Sequence, residues 1–233
     1  MKRLLILGGC GFLGQHLREQ AKARGLTVHT MDIAGGDIPR DILDINAEDV
    51  RGYDRVYHLA GKLGTAETFE DPVTTVKVNV IGTMKVLQAA HVAAVPVTYV
   101  TLANQWLNPY SISKNAAAQF CAMYREYYGL PVQIAVTYNV FGKFQAWQPV
   151  RKIVPEFLIR LLEGRPIELF GGGQQFVDLV YAPDLARALL DNEQPGVQHF
   201  GSGRSLTVRD TALLCARSLG ITAPQLKELP LRL

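Results

Sequence analysis

An α/β fold, a doubly wound parallel sheet with helices on both faces, is what this sequence predicts, and three observations predict it. Short runs rich in apolar residues alternate with helix-length segments, those runs carry apolar residues on both faces, and the first of them ends in the glycine-rich turn GGCGFLG at residues 8–14. A strand covered on both faces reads as a continuous apolar run, and a βα alternation makes the sheet parallel.

The elements follow in order. Leu4–Leu7 reads as a buried strand and the residues from about Phe12 to Arg24 as a helix, so the glycines fall at a strand-to-helix turn. Thr27–Met31 is a second strand ending at Asp32, Arg55–Leu59 a third, and a helix from about Pro72 to Ala94 leads to the strand Val97–Thr101. Asn108 offers an N-cap and Pro109 a first helical residue for the next helix, which Gly129 and Pro131 end. Val132–Val136 is another apolar strand. After Gly142 the pattern loosens into a helix reaching Glu163, a short strand Ile167–Phe170 and the cluster Gly171–Gly173. The expected organisation is a main domain over 1–142 and a smaller lobe over 143–233, with the return of late segments to the main domain left open.

Composition narrows the function classes. The chain has 233 residues, 48% hydrophobic and 19% charged, enough for a substantial core. Its net charge is +3 with scattered basic residues, so no nucleic-acid partner is expected. No apolar stretch reaches roughly 18 residues, and Gly8, Gly9, Gly11 and Gly14 break the only candidate leader, so no membrane span and a cytoplasmic location are expected. Cys10, Cys121 and Cys215 lack any CxxC spacing, which argues against disulfides and a metal site and for reduced core thiols.

Two constellations carry chemistry. Gly8, Gly11 and Gly14 open a helix whose N-terminus can hold a pyrophosphate, and Asp32 stands 18 residues after Gly14, where a dinucleotide fold places the carboxylate for the adenosine ribose. Asp32 repels a 2′-phosphate and Ile33–Gly36 offers no arginine to neutralise one, so NAD is expected rather than NADP. Tyr110 and Lys114 are four residues apart at the start of a helix and share a face. Lowering a phenol pKa from near 10 by about three units needs roughly 4 kcal/mol, which a desolvated ammonium and a positive nicotinamide ring can supply together. The tyrosine would then exchange a substrate hydroxyl proton.

The segments GGCGFLG (8–14), MDI (31–33), HLAG (58–61), NVIGT (79–83), PYSISK (109–114), YNVFG (138–142) and FGGGQQFVDLVYAPDLARAL (170–189) together resemble the extended short-chain dehydrogenase/reductase family, in its NAD-dependent epimerase/dehydratase branch acting on nucleotide sugars. The resemblance implies a Rossmann-type domain with a small, shortened C-terminal substrate lobe. It implies that Gly8, Gly11, Phe12 and Leu13 hold the pyrophosphate, Asp32 and Ile33 the ribose, and that Asp41 and Ile42 flank the adenine. Leu59, Ala60 and Gly61 would line the cofactor channel, Asn79 would brace it, and Tyr138, Asn139 and Val140 would approach the nicotinamide and substrate. Tyr110 and Lys114 would be the catalytic pair. A homodimer through the helices at about 72–94 and 109–128 is also implied.

The departures from that family lie on the substrate side. The strand before the catalytic helix reads YVTLANQW, so Thr101 fits its first hydroxyl position while the catalytic one falls on Leu102 or Ala103, and either Thr101 or Asn104 substitutes or catalysis is weak. The connection to Tyr110 is short, and Val136 and Val177 stand where arginines are expected. Lys62, Lys143, Arg151, Lys152 and Arg204 are the candidate replacement cations, and the chain ends before the portion that completes the family's lobe. His58 reads as structural. The expected activity is NAD-dependent modification of a nucleotide-linked or related sugar, with epimerisation ahead of ketoreduction and dehydration. The alternative is a weakly catalytic NAD-binding module.

Overall fold

The computed structural model describes residues 1–231. Strand β1 (Arg3–Leu7) leads through the glycine turn to helix α1 (Phe12–Ala23), then β2 (Thr27–Asp32) and a two-residue β3 (Gly35–Gly36). A short helix α2 (Ala47–Val50) precedes β4 (Arg55–His58). Helices α3 (Glu67–Glu70), α4 (Pro72–Val76) and α5 (Thr83–Ala93) lead to β5 (Val97–Leu102), and α6 (Pro109–Tyr128) to β6 (Val132–Thr137). The rest is β7 (Asn139–Phe141), α7 (Ile153–Leu162), β8 (Ile167–Phe170), β9 (Phe176–Tyr181), α8 (Ala182–Asp191), β10 (Gly196–Phe200), β11 (Ser205–Thr207), α9 (Val208–Ser218) and β12 (Leu226–Leu229).

Seven strands form the main sheet in the order β10-β6-β5-β4-β1-β2-β3, parallel except for the terminal β2–β3 pair. Alternate residues of β1 serve opposite cores. Leu4 and Ile6 pack with Leu17 of α1 and Leu185 and Leu189 of α8; Leu5 and Leu7 pack with Leu87 of α5 and Cys121 of α6. The strand order reverses between β1 and β4, so the crevice at their C-terminal ends is where a ligand of such a sheet binds. The late chain returns to this sheet: α8 packs on α1, and β10 pairs with β6. The three-stranded sheet β11-β9-β7, the pair β12-β8 and a third core around Phe157, Leu161, Ile167 and Ala216 build the smaller lobe.

Two expectations are corrected. The helix from Pro72 is not uniform: Lys77–Gly82 forms a π-helical segment between α4 and α5, and the extra residue in that turn belongs with the tether that Asn79 makes to neighbouring chain. Cys121 and Cys215 are buried thiols, but Cys10 sits half-exposed on the glycine turn, where its amide rather than its sulfur is engaged. Among the described residues no helix is long and apolar enough to cross a membrane.

Candidate active site

The crevice begins where β1 enters its turn. Gly8 has φ of +81°, and a Cβ there would stand 2.7 Å from the Ala60 nitrogen; a Cβ on Gly14 would stand 2.3 Å from the Gly8 oxygen. Neither position admits a side chain, which lets α1 and the chain after β4 close on the turn. Gly11 differs, since a Cβ there would meet only the Gly8 oxygen, at 3.2 Å, leaving open space beside the turn. Gly11 caps α1 without a side chain, and the first turn of α1 carries no acid. The amides of Phe12 and Leu13 and the positive helix end are therefore suited to a diphosphate. At the end of β2 the Asp32 carboxylate is fixed by two main-chain donors, Cys10 and Ala34, each at 2.9 Å. Beside it the Ile33 side chain is 78% exposed. This open turn with a fixed carboxylate at its rim fits NAD.

Asp41 accepts from the Leu43 amide at 2.9 Å and caps the short turn Ile42–Asp44. The Ile42 side chain is buried in the core over Gly82, which leaves its main chain as the part that could flank an adenine. Opposite Gly8 stand Leu59 and Ala60, and the chain that follows them is held at Lys62 by Asn79. The Asn79 Oδ1 accepts from the Lys62 amide at 2.7 Å, and its Nδ2 donates to the Lys62 carbonyl and to Ser113 Oγ, each at 3.0 Å. Ser113 donates in turn to the Tyr110 carbonyl at 3.0 Å. One buried amide thus ties the chain after β4 to the helix carrying Tyr110.

That helix starts as its sequence dictates. Asn108 Oδ1 accepts from the Ser111 amide at 2.8 Å and Pro109 takes the first helical position, which sets Tyr110 and Lys114 one turn apart over the end of β5. Lys114 is 6% exposed; its Nζ donates to the Val100 carbonyl at 2.7 Å and lies 4.2 Å from the Tyr99 ring centroid. Burial pulls the Lys114 pKa down to about 7 and pushes that of half-buried Tyr110 up. Each group alone is thus driven toward neutrality, and each becomes easier to ionise when an opposite charge arrives. His58 is fully buried and held neutral, its pKa lowered to about 3 first by burial and then by Lys114. The Thr83 hydroxyl donates to the Asn79 carbonyl at 2.7 Å, so His58 Nε2 carries the hydrogen in its 2.9 Å bond to Thr83. His58 is a strut in this site and has no free proton to exchange.

A second region, beyond the ends of β5 and β6, is assembled differently. A cavity of 360 Å³ is lined by Asn104, Trp106, Asn139, Arg151, Lys152, Glu156, Arg160, Glu168, Phe176 and Val177, among others. The structure therefore brings together Asn104, Asn139, Arg151 and Lys152 with the Val177 that replaces an expected arginine. Thr101 is not part of this lining. It is 4% exposed, shares a strand face with Tyr99, and its hydroxyl makes no hydrogen bond of ordinary geometry. Leu102, in register with Thr137, ends β5 without a hydroxyl. Three other candidate cations are committed elsewhere: Lys62 pairs with Asp71 at 2.8 Å, Lys143 stacks 4.4 Å from the Phe144 ring centroid, and Arg204 lines a separate 520 Å³ groove with Tyr181, Asp184 and Ser202. Tyr138 is 39% exposed with its hydroxyl 3.2 Å from His199 Nδ1, while Val140 packs at the edge of the α1–α8 core.

Sequence reading missed Arg160, the pivot of this lobe. Its guanidinium bonds Glu156 at 2.6 Å, Glu168 at 3.0 Å and the Pro166 carbonyl at 3.0 Å. The i,i+4 spacing of Glu156 and Arg160 was a readable signal, but Glu168 lies on another element. Trp106 and Phe176, 59% and 74% exposed at the cavity, were missed as well; nothing in local sequence distinguishes them from core aromatics.

Comparison with known proteins agrees with this geometry. Over 228 residues the chain is 29% identical to a UDP-N-acetyl-alpha-D-glucosaminuronate decarboxylase of Bacillus cytotoxicus, covering 81% of this chain and 70% of that protein. It is 27% identical to a UDP-glucose 4-epimerase of Mycolicibacterium smegmatis over 97% of this chain and 85% of the relative. Among solved structures, the Thermus thermophilus UDP-glucose 4-epimerase complex with NAD superposes with a TM-score of 0.82 at 27% identity, covering 99% of this chain and 87% of that one. A dTDP-glucose 4,6-dehydratase from Streptomyces venezuelae with NAD bound gives 0.86 at 26% identity, covering 99% and 85%. NAD is the cofactor that this Rossmann-type crevice takes. With its profile matched over residues 4–106 and 98–192, the chain belongs to the NAD dependent epimerase/dehydratase family.

Proposed function

We propose that this protein is an NAD-dependent epimerase of a nucleotide-linked sugar. The observation that carries the reading is the buried Lys114 one turn from Tyr110, with the glycine cradle on one side and a charged cavity on the other. Bound NAD supplies the hydride acceptor and a positive ring. Tyr110 takes the proton of the sugar hydroxyl and later returns it, and Lys114 holds the phenolate by its charge. Asn79 keeps the cofactor wall and the Tyr110 turn in register, while the cavity beyond Asn104 and Asn139 accepts the nucleotide carrier.

Epimerisation is preferred over dehydration because the cavity carboxylates are occupied. Glu156 and Glu168 are both bonded to Arg160, so neither is free as the acid that dehydration needs. Asp32 favours NAD, which suits a cycle that returns its hydride to the substrate, over the NADPH that a net reduction usually draws on. A homodimer is part of the reading: Val73, Val76, Ile81, Ile112 and Tyr127 are exposed apolar residues on or beside α4–α6.

The test is turnover of UDP- and dTDP-hexoses by the NAD-loaded protein, following interconversion of the 4-epimers by chromatography. Epimer exchange is expected, and Tyr110→Phe should lower it by about 10³-fold while NAD affinity is kept. Binding of NAD and nucleotide sugar with no turnover would instead identify a cofactor-bound module.

A further inference from the structure

The charges of the 360 Å³ cavity do not cancel. Five ionisable side chains line it: Arg151, Lys152, Glu156, Arg160 and Glu168. Arg160 is 7% exposed and shared between Glu156 and Glu168, and Arg151 reaches Glu156 at 3.7 Å. That leaves Lys152, whose carbonyl accepts from the Glu156 amide at 3.0 Å but whose ammonium makes no hydrogen bond or ion pair among the described residues, although Glu67 acts on it electrostatically from beyond the cavity. It is half-buried at the entry to α7, and burial already lowers its pKa. A half-buried cation with no carboxylate in contact with it, in a cavity with room for a ligand, is a site for an anion.

We propose that Lys152 is the anion anchor of this cavity, contacting a phosphate of the nucleoside diphosphate carrier. The assignment rests on the nucleotide-sugar reading above and deepens it. Val177 lines the same cavity and supplies no charge, so recognition of the diphosphate falls to the α7 side of the wall. A point charge such as lysine tolerates more than one phosphate geometry, whereas the fork of an arginine demands one. Arg151 is more exposed and already shared with Glu156, so it contributes at the rim.

The experiment uses the NAD-loaded protein carrying Trp147→Phe. Because the sequence has two tryptophans, this leaves Trp106, on the cavity wall, as the reporter. UDP, dTDP, uridine and thymidine are titrated by Trp106 fluorescence and calorimetry. Lys152→Met should weaken nucleoside diphosphate binding by about tenfold or more while leaving nucleoside and NAD affinity within about twofold, as expected for loss of one charge-assisted contact. Lys152→Arg should retain most of the affinity, and adding Val177→Arg to Lys152→Met should restore it by placing a cation on the opposite wall. Equal weakening of nucleoside and diphosphate, or no weakening, would overturn the Lys152 assignment while the nucleotide-sugar reading stands. Failure of the protein with native Lys152 to bind either diphosphate would overturn both.

Discussion

The two halves of the crevice are built by different means. The cofactor half is made largely of main chain: tight glycines at 8 and 14, the open turn at Gly11, helix amides at Phe12 and Leu13, and a carboxylate, Asp32, fixed by two amides. The cavity half is lined by side chains from β7, α7, β8, β9 and the loop after β5, among others, and Arg160 joins α7 to β8 within it. A main-chain cradle constrains residue type at fixed spacing and tolerates no alternative. A side-chain cavity can move a charge from one wall to another and keep its net character.

The largest effect expected on this contrast is at Gly14. Gly14→Val places carbon within the space of the Gly8 oxygen and the Gly9 main chain, so the turn must shift. NAD affinity should fall by about 10²-fold or more, measured by calorimetry, while retained affinity would show that the cradle is plastic after all. A change on the cavity side, such as Lys152→Met, should leave NAD binding untouched.

Next in size is Lys114, where chemistry and stability pull in opposite directions. Its pKa is about 7 in the fold and near 10.4 in an unfolded chain, so between those values the unfolded state binds more protons. Stability therefore rises with pH across that window, and the cost of burying the ammonium is greatest below its lower end. Lys114→Met lacks the proton and the cost. It should be more stable than the parent by about 1–3 kcal/mol at pH 7, the difference shrinking toward pH 10, while turnover falls about 10²-fold. Denaturant titrations at the two pH values check the sign; a variant less stable at pH 7 would mean that the bond to the Val100 carbonyl outweighs desolvation.

How much of this was legible follows from the same contrast. The apolar runs of β1, β2, β4, β5 and β6 and the caps of α6 are local signals, and they foretold the sheet and the helix that carries Tyr110. The family resemblance implied Asn79 as a brace, but the π-helical turn around it was not legible, and the partners of its side chain, Lys62 and Ser113, lie 17 and 34 residues away in sequence. Ile42 shows another limit: its place in the motif says nothing of its side chain, which the notch at Gly82 takes into the core. The Arg160 pivot joins residues on α7 and β8, and the cavity joins segments from Asn104 to Val208, distances over which local pattern carries no register.

The smallest effect expected is also the sharpest probe of the cavity half. Leu102 ends β5 where a hydroxyl donor would meet the reacting oxygen, and neither the buried Thr101 hydroxyl, which is absent from the cavity wall, nor the Ala103 methyl replaces it. Removing one such donor from an active site costs about 10² in rate, so the parent enzyme should be slow unless Asn104, which does line the cavity, donates instead. Leu102→Thr then discriminates, with Leu102→Val as the control that changes shape without adding a donor. If the position is vacant, kcat should rise by about threefold to tenfold over Leu102→Val, with KM and NAD affinity unchanged, because the new bond acts on charge that develops in the transition state. If Asn104 already serves, the hydroxyl adds nothing and Asn104→Ala should lower kcat by about 10²-fold. Either result places the missing donor on one side of the boundary between the halves: at the end of a sheet strand, where sequence position fixes it, or on the loop that walls the cavity.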